Sequence, residues 1–266
     1  MDQHALKYYT PYSEKNPQSH FHAVLQLGRE KKMSWDEAVG LAPSLPHGWY
    51  ELALLSLEDR LEFVREHWLV KLPYHPKLDD FLANFFSTLD EIAVLLTQKK
   101  YDDPFEVELV YSLAGNSGFF RGRPGITSRE FEIFQKEFVE YILPLDYTSF
   151  LQIHDGFAKL DDTGMIRSQE MGEQFIAFQK LIEIELPEQK GVPINPKSLI
   201  PFYKSFGMPF FQCFWADWYP GPEMGNVYYS GTAKTISDCF KEGDCVDTMA
   251  FETFVDWLIF YLEKIE

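Results

Sequence analysis

Several groupings of residues in this chain could do chemistry, and each needs a particular arrangement. His20-Phe21-His22 has the alternating spacing that places two imidazoles on one face of a strand, as a metal site would require. No Cys, Asp or Glu partner follows at a recognisable interval. His154-Asp155 with Cys213 could form a thiol dyad, yet no family-specific signature surrounds the cysteine. Cys213 sits in an apolar run and is expected to be a small buried hydrophobe. His154 is expected to cap or pack a helix end. Asp217 follows an apolar strand and precedes Trp218-Tyr219-Pro220-Gly221, where it could meet a ligand or hold the turn through an Asx hydrogen bond; the turn role is expected. Gly118-x-x-x-Gly122 lacks the lysine, hydroxyl and strand-helix context of a phosphate loop. No catalytic residue, cofactor site or metal site is therefore expected.

The elements that would position these residues are plainer. In residues 143–157, Tyr147, Phe150, Leu151 and His154 fall on one helical face, with Pro144 at the start and Asp155-Gly156 as the expected stop. Residues 1–30 form a polar, periodicity-free segment with Pro11 and Pro17, expected to be partly mobile. Residues 31–125 read as a mainly helical extension. Ser34 with Glu37 is a capping-box pattern, a second helix runs from Trp49 towards Leu55, and Ser56 caps a third from Leu57 to Trp68. The stripe from Phe81 to Leu96 predicts one long helix over 78–97. Phe105, Val107 and Leu109 then alternate with Glu106 and Glu108, which predicts a half-buried strand with the acids outward.

Residues 118–125 are turn-rich and are the expected domain boundary. Thr127 with Glu130 opens a helix carrying Phe131, Phe134, Phe138 and Tyr141. Asp161-Asp162-Thr163-Gly164 reads as a polar hairpin, and a helix follows over 173–184. Phe210 to Trp215 is apolar on both faces, so it predicts a central strand covered on both sides, with Asn226 to Tyr229 returning beside it. Phe251 to Leu262 closes the chain with an amphipathic helix, and no internal repeat is evident.

Charge narrows the function classes. The formal net charge is −17, and residues 126–266 carry 23 acidic against 11 basic groups. Such a field repels phosphate backbones and anionic membrane surfaces, so neither a nucleic acid nor a membrane is an expected partner. It steers basic partners inward. The aromatic run over 210–219 lacks the basic interleaving that base stacking needs, with Asp217 its single charge. Three cysteines are too few and too irregular for a disulfide framework, and the N-terminus lacks the pattern of a secretory leader. A cytoplasmic location is the expectation.

The order of pieces over about 126–266 resembles the SUKH superfamily, which includes fungal cell-wall-synthesis regulators and bacterial toxin-immunity proteins. The matching pieces are the helix opening at Thr127, Leu143-Pro144 with Tyr147 and Phe150-Leu151, and Asp155-Gly156. Leu199-Ile200-Pro201-Phe202, Phe214-Trp215-Ala216-Asp217, Val227-Tyr228 and the last helix follow in the same order. Asp155 stands where the family usually has Asn, the stretch 170–190 is longer than usual, and residues 31–125 have no counterpart. The resemblance implies an α+β fold with a twisted, mainly antiparallel sheet flanked by helices, serving as a protein-binding scaffold without a catalytic centre. A basic toxin domain is then one candidate partner, and an endogenous partner in a regulatory or scaffolding role is the other. The acids and aromatics expected to meet it are Asp161, Asp162, Asp217, Trp218, Tyr219, Glu223, Glu242 and Asp244. A small-molecule-binding enzyme with its site at 215–219 is the rival reading.

Overall fold

The computed structural model describes residues 1–29, 33–185, 195–205, 207, 210–229 and 250–263. The fold is α+β. The chain divides into two compact units, Met1–Gly125 with Phe157–Asp161, and Ile126–Gly156 with Asp162–Glu263. Among the described residues each unit holds a five-stranded antiparallel sheet whose neighbours follow chain order.

In the first unit, α1 (Gln3–Tyr8) and β1 (Ala23–Gln26) lie within the segment read as a polar tail. Four short helices follow: α2 (Trp35–Leu41), α3 (His47–Ala53), α4 (Leu57–Lys71) and α5 (Leu78–Ser87). Ser34 and Glu37 form the reciprocal capping box at α2, and the Ser56 hydroxyl accepts from Asp59 N–H at α4. Then come β2 (Leu89–Gln98), β3 (Glu106–Leu113), β4 (Phe119–Gly122) and, much later in sequence, β5 (Phe157–Lys159).

The single helix expected over 78–97 is instead a helix and a strand. The hydroxyls of Ser87 and Thr88 donate to the carbonyls of Asn84 and Phe85, closing the helix. Ile92 to Leu96 are then apolar at every position, which suits a strand buried on both faces as well as it suits a helical stripe. The boundary expected over 118–125 also contains an element, because β4 lies between β3 and β5 in the sheet.

Both faces of this sheet are covered. On one, Trp68, Phe85, Phe86, Tyr111, Phe120 and Phe157 pack mostly edge to face, with Phe120 stacked on Phe157, and the Trp68 indole N–H donates to the Tyr111 hydroxyl at 3.2 Å. On the other, Ala5 and Tyr9 of the α1 segment pack with Ala93, Leu95, Val110 and Phe119. Asp2 fixes that cover: its carboxylate accepts the N–H groups of His4 (2.6 Å) and Gly118 (3.0 Å), and its own N–H donates to Ser112 Oγ. Glu108 was expected to face solvent and is instead 3% exposed under this helix. Its carboxylate accepts from the Tyr9 hydroxyl at 2.6 Å and pairs with Arg121 at 3.3 Å. Burial opposes the Arg121 charge, but the facing Glu108 carboxylate holds its guanidinium above the ordinary value.

The second unit contains α6 (Ser128–Glu137), α7 (Leu145–Leu151), β6 (Gly164–Met165), α8 (Ser168–Glu185), β7 (Leu199–Lys204), β8 (Phe211–Trp215), β9 (Asn226–Tyr229), β10 (Ala250–Phe251) and α9 (Phe254–Leu262). Thr127 and Glu130 form the capping box of α6. β8 is central, and its alternation divides the core. Phe211 and Cys213 pack with Phe178 and Ile182 of α8 on one face. Phe214 packs on the other with Tyr147 of α7, Phe202 and Phe254 of α9. Residues 161–164 are not a hairpin turn, since β5 belongs to the first sheet and β6 to the second. Gly156 does not end α7 either. That helix stops at Leu151, and Gly156, with φ 99°, turns the chain towards β5.

Candidate functional site

The turn after β8 is where the expected binding residues gather. Ala216 N–H donates to Ser198 O, Trp218 N–H to Trp215 O, and Gly225 N–H to Trp218 O, so the backbone alone closes residues 216–225. Trp218 lies half-buried, its ring packed over Gly225, where a Cβ would meet the ring at 2.3 Å. Only glycine fits beneath it. Tyr219 is 50% exposed beside the Pro220-Gly221-Pro222 bend. Asp217 is exposed, and its carboxylate makes no hydrogen bond among the described residues. The Asx role expected for it is therefore absent, because the main chain already holds the turn.

Glu223 works inward. Its Oε1 accepts the N–H of Leu145 at 3.0 Å, at the start of α7 where Pro144 offers no side-chain cap. This bond holds the start of α7 to the turn. Leu145 (58% exposed) at this start and Ile142 (84%) just before it are exposed large apolar side chains, as is Tyr219 in the turn. Nothing in the sequence singles out Leu145 or Ile142, because one reads as helix interior and the other as connection.

Two further carboxylates hold helices together in the same unit. Asp146 accepts from its neighbour Tyr147 N–H at 2.8 Å and from Val255 N–H, at the start of α9, at 3.0 Å. Burial raises its carboxyl to about 6; the Val255 N–H works against the shift and the Glu223 charge adds to it. Asp155 accepts from Ser168 N–H (2.6 Å) and Ser168 Oγ (2.8 Å) at the start of α8, and burial raises its carboxyl despite those bonds.

The other expected residues lie elsewhere. Asp162 accepts from the hydroxyls of Tyr203 (2.6 Å) and Tyr261 (3.4 Å), so it is engaged within the second unit. Asp161 belongs to the first unit, at the rim of a cavity. Glu242 and Asp244 lie outside the described residues. Cys213 is fully buried on the α8 face, where burial pushes its thiol up, whereas His154 follows α7 against Phe150 on the opposite face. They form no dyad. His20 stacks on Tyr8 and His22 meets Tyr101, so the two imidazoles do not converge. Among the described residues no His, Cys, Asp and Glu side chains gather as a metal site would need. No helix among them is long and apolar enough to cross a membrane.

Compared with known proteins, the chain matches no family model, no curated sequence and no solved structure.

Proposed function

We propose that the second unit is a protein-interaction module that binds a basic partner through the turn at 216–225 and the start of α7, without chemistry of its own. The observation that carries this reading is the Glu223–Leu145 bond. It ties the start of α7, with Leu145 exposed there and Ile142 exposed just before it, to the turn that carries the exposed Tyr219 and Asp217. A few such anchors dominate an interface, and surrounding charge sets the approach rate. The acid surplus of residues 126–266 supports a basic partner. The SUKH resemblance supports a toxin-immunity role in which that partner is a basic toxin domain; an endogenous partner in a regulatory role uses the same surface. An enzyme centred on 215–219 is disfavoured because Asp217 there is solvated rather than desolvated against a reacting group.

The test is capture of partners by the full chain and by a Tyr219→Ala, Leu145→Ser double variant. The reading expects a basic protein that the wild type retains and the double variant loses, with both chains equally stable. A neighbouring reading frame that encodes a toxin domain would identify the immunity role. A partner retained equally by the double variant overturns the assignment.

A further inference from the structure

A cavity of about 380 Å³ opens in the first unit, within the range of small-molecule sites. Its apolar floor is Tyr8, Phe119 and Leu160. The floor is held rigidly. Tyr8 is stacked by His20 at 4.7 Å, and the Arg121 guanidinium lies 5.2 Å from its ring centre. Leu160 adopts a positive φ of 51°, a conformation that non-glycine residues seldom take. It is kept there by its N–H to Phe119 O (3.0 Å) and by the Arg121 Nε–H donated to its carbonyl (3.1 Å). Gly118 completes the fit, because a Cβ there would meet Leu160 Cδ2 at 3.0 Å. A strained leucine held by defined bonds beneath an open cavity is the pattern in which strain accompanies function.

The rim is unlike the rest of this acidic chain. His4 and Lys7 lie at i, i+3 on α1 and so share a face, and His20 adds a second imidazole. The Lys7 ammonium makes no ion pair or hydrogen bond among the described residues, and Asp161 is the rim's carboxylate. An apolar, ring-sized floor beneath an uncommitted ammonium and two imidazoles suits a flat apolar body carrying one negative charge. We propose that this cavity binds a small aromatic carboxylate, with its ring on Tyr8, Phe119 and Leu160 and its carboxylate at Lys7. The proposal concerns the first unit and is independent of partner binding by the second.

The test uses the full chain with isotope-labelled histidines, titrated with 3-phenylpropionate and, separately, with phenethylamine. The expected result is saturable shifts of the His4 and His20 signals with the acid, and at least tenfold weaker binding of the amine. Lys7→Gln, an exposed change that leaves the fold intact by circular dichroism, should weaken the acid at least fivefold. Absence of saturable shifts, equal binding of the amine, or an unchanged affinity in Lys7→Gln would each overturn the proposal.

Discussion

Asp146 and Val255 stand 109 residues apart in sequence and are joined by a 3.0 Å hydrogen bond from the Val255 N–H to the Asp146 carboxylate. The bond places a carboxylate of α7 at the positive end of α9, where the first N–H groups have no partners within their own helix. Glu223 does the same for α7 and Asp155 for α8. Side-chain caps from distant residues thus lock these helices in the second unit.

The burial of Asp146 carries a pH signature. Its carboxyl is raised from 3.8 to about 6 in the folded state, so the native protein holds this proton more tightly than the unfolded chain. This group therefore favours folding below its unfolded value, and that contribution is lost as pH rises through about 6. Relative to Asp146→Asn, the wild type should gain roughly 3 kcal/mol between pH 7.5 and pH 3, from about two pKa units at ~1.4 kcal/mol each. Denaturant midpoints of both proteins across that range measure it. Parallel curves would refute the assignment.

Glu223 has two separable effects. Glu223→Ala should cost about 1 kcal/mol, the usual value of a lost helix cap. Glu223→Gln keeps an acceptor for Leu145 and should cost less, yet it removes the charge that helps raise Asp146. The titration midpoint of the Asp146 carboxyl carbon should then fall in Glu223→Gln, which NMR reads directly.

In the first unit, residues 1–9 cover one face of the sheet. Deleting residues 1–9 uncovers Ala93, Leu95, Val110 and Phe119 and strips Glu108 of its Tyr9 hydroxyl. Thermal unfolding should show loss of the cooperative transition of this unit. Glu108→Ala leaves the mostly buried Arg121 without its carboxylate and should cost about 3 kcal/mol. A truncated chain as stable as the full one would refute the covering role.

For partner binding, Asp217→Lys should slow association several-fold while leaving the melting temperature unchanged, since the Asp217 carboxylate makes no hydrogen bond or ion pair among the described residues. Tyr219→Ala should act mainly on dissociation. Stopped-flow rates at two salt concentrations separate the two, because salt screens charge attraction beyond a Debye length of about 8–10 Å and flattens only the charge effect.

Local pattern was enough wherever neighbouring residues decide the outcome. The capping boxes at Ser34 and Thr127, the helix after Ser56, the two-sided strand at Phe211–Trp215 and the last helix were all legible in the sequence, because caps and periodicity act over a few residues. Tertiary structure decided the rest. The run from Ile92 to Leu96 satisfies helix and strand alike, and its pairing with β1 and β3 makes it a strand. Glu108 alternates like a surface acid, yet residues 1–9 fold over that face and turn it into a buried partner of Tyr9 and Arg121. Phe157 follows a motif of the second unit but pairs with β4 in the first, which a boundary drawn along the sequence could not show. Asp146, Asp155 and Glu223 are ordinary acids in sequence, and only the fold brings helix starts to them. Which distant residue covers a face, or supplies a missing hydrogen bond, is a matter of long-range geometry that residue spacing does not encode.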